Sequence, residues 1–208
     1  MKPTRYKALK TENHFLNMLQ SSITISLAVH WVFQGMLYMD RTERLFKLAV
    51  DAFIILLFVA VTGLSTNTLV AGFVFAHTLN FMFNGHINGL LKCFGISRAS
   101  EEKLIRYFDA VSKRMHDEPS IRYAAAFGSL SRGELSDTSD VDIRVIRHPG
   151  FVHALQSCTF VFLERSRVLL TGVPLDIYVL DSRTGLSKIR ADEPPQIMKQ
   201  SAPDDDVQ

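Results

Sequence analysis

Apolar positions along this chain follow two different rules, and the change falls near residue 92. From Ala52 to Leu91 there is no Asp, Glu, Lys or Arg. Two apolar runs, AVDAFIILLFVAVTGL, which includes Asp51 just before that stretch, and TLVAGFVFAHTLNFMF, are separated by Ser65, Thr66 and Asn67. Each run covers roughly 16 residues against the ~20 a bilayer-crossing helix needs. Extension back through Leu45 and forward to Ile87 supplies the missing turn, which predicts a transmembrane helical hairpin over 45–91. Asn13 to Met39 is uncharged too, but Gln20, Ser21, Ser22, Thr24, Ser26, His30 and Gln34 interrupt it. This predicts an interfacial, amphipathic segment over 1–44, with Trp31 and Tyr38 at headgroup depth, or a weaker third span. Buried paired helices in a soluble domain are the alternative, given Asp51, His77 and Asn80.

After residue 98 the pattern alternates between helix and strand. Ser100 stands as an N-cap before SEEKLIRYFDAVSKRMHD, with acids in the first turn and Leu104, Ile105, Phe108 and Val111 spaced for one face. IRYAAAF then reads as a strand running into Gly128, VDIRVI as a second, FVHALQSCTFVFLERSRVLL as a helix and PLDIYVL as a third strand. Pro194, Pro195 and the run Asp204 to Asp206 predict a flexible tail over 187–208.

Charge changes the picture mainly at the flanks of the apolar part. Arg41, Arg44 and Lys47 precede the hairpin, Lys92 and Arg98 follow it, and its turn is uncharged, so both ends are expected in the cytoplasm. A net charge of +2 gives no sign of specific nucleic-acid binding. Cys93 and Cys158 stand far apart, outside any CxxC or Cys/His cluster, and are expected as reduced thiols. No small-residue cleavage site follows the basic N-terminus, so no removable signal peptide is expected. His77, Asn80, Asn84, His86 and Asn88 are expected to satisfy one another or to cap helix ends.

Candidate chemistry sits between Phe127 and Ile146, in FGSLSRGELSDTSDVDIRVI. Side chains at i and i+2 of a strand share a face, so Asp140 and Asp142 project together. Two neighbouring carboxylates repel unless a cation lies between them. Oxygen donors of this kind suit Mg2+, which is commonly held by one or two carboxylates plus substrate phosphates. Gly128 permits close backbone approach, and Ser129, with the amides opening a following short helix, suits phosphate oxygens. Arg132 stands ready for a charge-assisted contact with the same phosphates. Glu134 and Asp137 read as solvent-facing, His153 and Cys158 as structural, and Tyr123, Phe127 and Tyr178 as core. Ser139 and Arg144, flanking the acids, read as solubility or packing positions.

Phe127-Gly128-Ser129, a ten-residue spacer, then Asp140-Val141-Asp142 resembles the signature of the nucleotidyltransferase superfamily that includes DNA polymerase β, and within it the minimal nucleotidyltransferases. The resemblance covers roughly residues 100–182. It implies an α/β (α+β) nucleotidyltransferase domain over 98–186, a small mixed β-sheet flanked by helices, behind the N-terminal helical hairpin. It also implies a third carboxylate, matched by Asp176 in VPLDIYVLD. By this resemblance Asp140 and Asp142 bind one or two Mg2+ or Mn2+ ions, and Asp176 completes the second site or helps deprotonate the acceptor hydroxyl. The expected reaction transfers a nucleoside monophosphate from a nucleoside triphosphate and releases pyrophosphate. A membrane-anchored enzyme of this kind suits a lipid, lipid-linked or protein acceptor. Two other functions stay open: an antitoxin-type protein adenylyltransferase, and a non-catalytic membrane domain that senses nucleotide.

Overall fold

The computed structural model describes residues 23–84, 99–137, 139–188 and 194–201. His86, Asn88, Lys92, Cys93, Arg98 and the Asp204 to Asp206 run fall outside the described residues. Helices α1 (Ile23–Phe33), α2 (Arg41–Thr62) and α3 (Thr66–Phe83) come first. They are followed by α4 (Glu101–Asp117), β1 (Ile121–Phe127), β2 (Val141–Arg147), α5 (Phe151–Thr171), β3 (Leu175–Leu180), a 3-10 turn over Arg183–Lys188 and β4 (Gln196–Gln200).

The four strands form one mixed sheet in the order β3-β2-β1-β4. β1 is antiparallel to both β2 and β4, while β2 and β3 run parallel and are joined across α5. One sheet face is apolar: Ala124 and Ala126 of β1, Val141, Ile143 and Val145 of β2, and Ile177 and Val179 of β3 are buried there. Helices α4 and α5 close that core. Ser100 caps α4 as its sequence predicts, accepting from Lys103 N at 3.3 Å. The buried stripe of α4 is Leu104, Tyr107, Val111 and Met115, whereas Ile105, expected on it, is 42% exposed. Tyr107 takes its place because its hydroxyl reaches the wholly buried Glu164 of α5 at 3.1 Å, and Arg114 clamps that carboxylate with two hydrogen bonds of 2.7 and 2.8 Å. Burial and the Glu164 charge push the Tyr107 hydroxyl far above its ordinary pKa.

The segment expected as a loose tail contains β4. It pairs with β1 from Tyr123 to Ala126 and covers an otherwise open edge, which a count of prolines and charges does not reveal.

Helices α2 and α3 lie side by side and antiparallel, joined at Gly63 to Ser65; Asn80 Nδ2 donates to Lys47 O at 3.0 Å near one end, and Phe58 stacks near Phe75 towards the other. By length and composition one helix among the described residues, α2, is long and apolar enough to cross a membrane. The expected boundary at residue 44 does not separate two units. Glu43, Lys47 and Asp51 form an i, i+4, i+8 stripe that is buried: Glu43 meets Val179 of β3 and Arg165 of α5, which ties the start of α2 to the α/β body, while Lys47 and Asp51 meet Gln34, His77 and Asn80. α1 departs from expectation as well: it is apolar on most sides, because its polar residues are few, with Ser26 and His30 one turn apart, Thr24 on another side, and His30 Nδ1 donating to Ser26 O at 2.8 Å.

Candidate active site on the open sheet face

The sheet face opposite the helices carries the predicted acids. Strand register sets three matched pairs across β2 and β3: Asp142 with Asp176, Arg144 with Tyr178, and Ile146 with Leu180. On the other side of β2, Phe127 pairs with Asp142, Ala125 with Arg144, and Tyr123 lies opposite Ile146. Half of this face is thus a small apolar cluster of Tyr123, Ala125, Phe127, Ile146 and Leu180, closed by Leu186. Asp142 and Asp176 lie at the other end, where β1 finishes and β2 and β3 begin. Asp140 stands two positions before Asp142, as the residue that leads into β2.

Local hydrogen bonds deliver Asp140 to that position. Ser139 is buried, its Oγ accepts from Ser136 N at 3.0 Å, and its own amide donates to Ser136 O at 3.0 Å. Val141 N then donates to Pro174 O at 3.0 Å, stitching the start of β2 to that of β3. Of the two expected readings, solubility or packing, the burial of Ser139 fits packing, with its hydroxyl latching the loop.

Gly128 is required twice over. Its φ of +74° lies in the left-handed region, and a Cβ there would fall 2.7 Å from Asp142 Oδ2. The missing side chain leaves the space in which the Asp142 carboxylate sits. Beyond Gly128 the chain makes turns, not the expected short helix: Arg132 N donates to Gly128 O at 3.4 Å, Gly133 N to Leu130 O at 3.2 Å, and Ser131 Oγ to Gly128 O at 3.0 Å. Gly133, again with positive φ, breaks the helical course after one turn. Ser129 is half-buried at the start of these turns, beside Gly128. Arg132 is exposed, and its Nε meets Glu134 Oε2 at 2.9 Å. Glu134 and Asp137 are exposed, as expected.

Arg144, which its sequence position gives as a solubility or packing residue, belongs to the site. Its Nη2 lies 3.0 Å from Asp176 Oδ2, its Nη1 donates to Asp176 O at 2.9 Å, and its guanidinium lies 4.9 Å from the centre of the Tyr178 ring. The signal was present in the spacing, since 140, 142 and 144 fall on one face of a strand. Tyr178 is buried, and burial followed by the Asp176 charge raises its hydroxyl well above the ordinary range.

No family model matches the chain, and no curated protein matches it. The site must be judged on its own geometry.

The donor set consists of oxygens alone, which suits Mg2+ or Mn2+ over Zn2+. Among the described residues no three His, Cys, Asp or Glu side chains converge closely enough to hold a metal ion by themselves. Asp176 is instead turned to Arg144. The expected three-carboxylate cluster is thus absent as a ready-made cage, although strand register sets Asp142 and Asp176 side by side. Gly128 leaves room for the Asp142 carboxylate, and Asp140 and Asp142 offer oxygen donors of the kind that a divalent ion shares with water and phosphate.

Proposed function

We propose that this chain is a membrane-anchored nucleotidyltransferase, dependent on Mg2+ or Mn2+, whose α/β domain faces the cytoplasm. The observation that carries the reading is the register of Asp142 against Asp176 on adjacent parallel strands, with Gly128 leaving room for the Asp142 carboxylate.

In this reading Asp140 and Asp142 would hold the divalent ion, whose contribution would be to neutralise charge on the triphosphate. Ser129 and the turn amides after Gly128 bind phosphate oxygens, joined by Arg132 when it leaves Glu134. Arg144 orients Asp176 from the neighbouring strand. An acceptor hydroxyl attacks the α-phosphorus, the bond from that phosphorus to the bridging oxygen breaks, and pyrophosphate leaves. The hydroxyl proton passes to Asp176 or to water. A lipid, lipid-linked or protein acceptor suits an enzyme held at a membrane, because tethering raises effective concentration.

The test is pyrophosphate release and label transfer from each labelled nucleoside triphosphate, measured on the full chain in native membranes with Mg2+. Asp140→Asn and Asp142→Asn are each expected to lower the rate about a hundredfold or more. Nucleotide binding with no pyrophosphate release would favour a sensing domain, and unchanged turnover in both variants would refute the site.

A further inference from the structure

The helix pair α2 and α3 has a free end whose dimensions can be read from its contacts with the α/β body. Five charged residues of α2, Arg41, Glu43, Arg44, Lys47 and Asp51, lie in its first half. Glu43, Lys47 and Asp51 turn inward to the protein, while Arg41 and Arg44 are exposed at the base. Helix α5 accompanies the pair along this same portion. Phe46 meets Phe162 at 6.4 Å between ring centres, Ser166 Oγ donates to Phe83 O at 3.2 Å, and Ile54 and Leu79 line a cavity of about 350 Å³ with Phe162 and Ser166. From about that level onward the pair consists of the end of the charge-free Ala52–Thr62, the turn, and the first half of α3.

This free end is apolar around its circumference rather than along one stripe. Leu69, Val70, Phe73, Val74 and Phe75 follow one another around α3 and are all at least 44% exposed. Val61 is 86% and Leu64 of the turn 77% exposed. A partner protein covers a stripe, whereas a surface apolar all round suits acyl chains. The turn also satisfies its own backbone. Thr68 Oγ1 accepts from Ser65 N at 2.8 Å and donates to Gly63 O at 2.7 Å, Ser65 Oγ accepts from Thr68 N at 3.2 Å, and Thr62 Oγ1 donates to Phe58 O at 2.8 Å. Hydroxyls folded back on the main chain are what a turn needs where water is absent.

Depth then separates two ways of sitting in a bilayer. The charge-free part of α2 rises about 16 Å, near half of a hydrocarbon core about 30 Å thick. Submerging the whole length of α2 would also draw α5 and the buried Glu43–Arg165 pair to hydrocarbon depth. We infer that the hairpin enters one leaflet only, with Leu64 near the midplane and Asp51 where hydrocarbon gives way to headgroups, so that Arg44 and Arg41, about 10–15 Å further back along α2, stand at the outer edge of the headgroups of the leaflet by which it enters. This rests on the membrane anchoring proposed above, and replaces a hairpin that reaches the far side by one that stops halfway.

The experiment uses the full chain carrying Cys93→Ser and Leu64→Cys in sealed vesicles of phosphatidylethanolamine and phosphatidylglycerol, with the α/β domain outside. Flotation reports anchoring, and a membrane-impermeant maleimide added outside, or enclosed within, reports the position of Leu64→Cys. The expected result is co-flotation with labelling from neither side until detergent is added. A nitroxide placed on the same cysteine should collide with oxygen and not with an aqueous nickel chelate. Leu64→Arg should weaken vesicle binding on the order of a hundredfold, since it puts a charge at the midplane, whereas in a crossing hairpin it would meet far headgroups at little cost. Flotation with labelling from the enclosed reagent overturns the one-leaflet insertion and leaves anchoring intact. A chain that does not float overturns both.

Discussion

At the scale of single residues, Gly128 concentrates the most consequence. Substitution by alanine forces a Cβ into the left-handed region, which costs about 1–2 kcal/mol for an L-residue, and places it 2.7 Å from Asp142 Oδ2. Urea unfolding of Gly128→Ala should therefore show a modest loss of stability beside a larger loss of pyrophosphate release; an active variant would mean that the Asp142 carboxylate does not need its present position. Cys158 gives a second expectation. Burial pushes its thiol up to about 12, with the Glu43 charge adding to the effect. It should stay unmodified by iodoacetamide at pH 8 in the folded chain and react on unfolding, and rapid modification of the native protein would contradict its place in the core. Arg144 shows why residue-scale reading falls short. Its spacing put it on the acid face, but whether an arginine two residues from an aspartate turns to that neighbour, to solvent or to the next strand depends on where β3 lies.

Between elements, the edge of β3 is where the apolar helices and the α/β sheet become one body. The outward backbone groups of that strand are taken up by side chains: Val179 N donates to Glu43 Oε2 at 2.7 Å, Asp181 N to Asp40 Oδ2 at 3.0 Å, and Arg165 Nη2 to Ile177 O. Arg165 lies 2.6 Å from Glu43 and donates to Asn84 Oδ1 at 3.1 Å. Asn80 and His77 carry the network on to Asp51, at 2.8 and 3.0 Å. These are the polar residues expected to satisfy one another, with partners on α2 and α5 added. Because Glu43 and Arg165 are nearly free of solvent, Glu43→Gln should destabilise the chain by about 3–5 kcal/mol in detergent unfolding. Combining it with Arg165→Met should recover part of that loss, and strict additivity of the two would argue against coupling.

Asp181 gives a pH signature to the same junction. Its burial favours the neutral form, but hydrogen bonds from Thr42 and the Arg147 guanidinium outweigh this and leave the carboxyl below its usual range. A depressed folded pKa contributes stability above the unfolded value and loses it as pH falls through the folded one. The stability gap between wild type and Asp181→Asn should be present at neutral pH and close below about pH 4, where unfolded aspartates take up protons. A gap that persisted at lower pH would point to packing rather than charge.

For the molecule as a whole, β4 decides whether β1 is a central strand or an exposed apolar edge. Removing residues after 193 uncovers the Tyr123 to Ala126 ladder, and unpaired edges invite association. The shortened chain should unfold at lower urea and associate in light scattering, and an equally stable monomer would show that β4 adds nothing to the sheet. Composition argued against that strand because prolines and acids surround it, while its pairing comes from a long-range partner that no local pattern encodes.

Periodicity by itself determined the helices and strands from Ser100 to Leu180, the uncharged hairpin and the spacing that sets acids on one face, since these follow from backbone geometry and the avoidance of buried charge. Only the tertiary structure decided that Asp176 stands opposite Asp142 but turns to Arg144, that the start of α2 is tied to β3 and α5 through Glu43, and that the turn end of the apolar pair extends beyond α5. Register and side-chain partners are set by contacts between residues far apart in the chain. Such contacts form only when the elements pack.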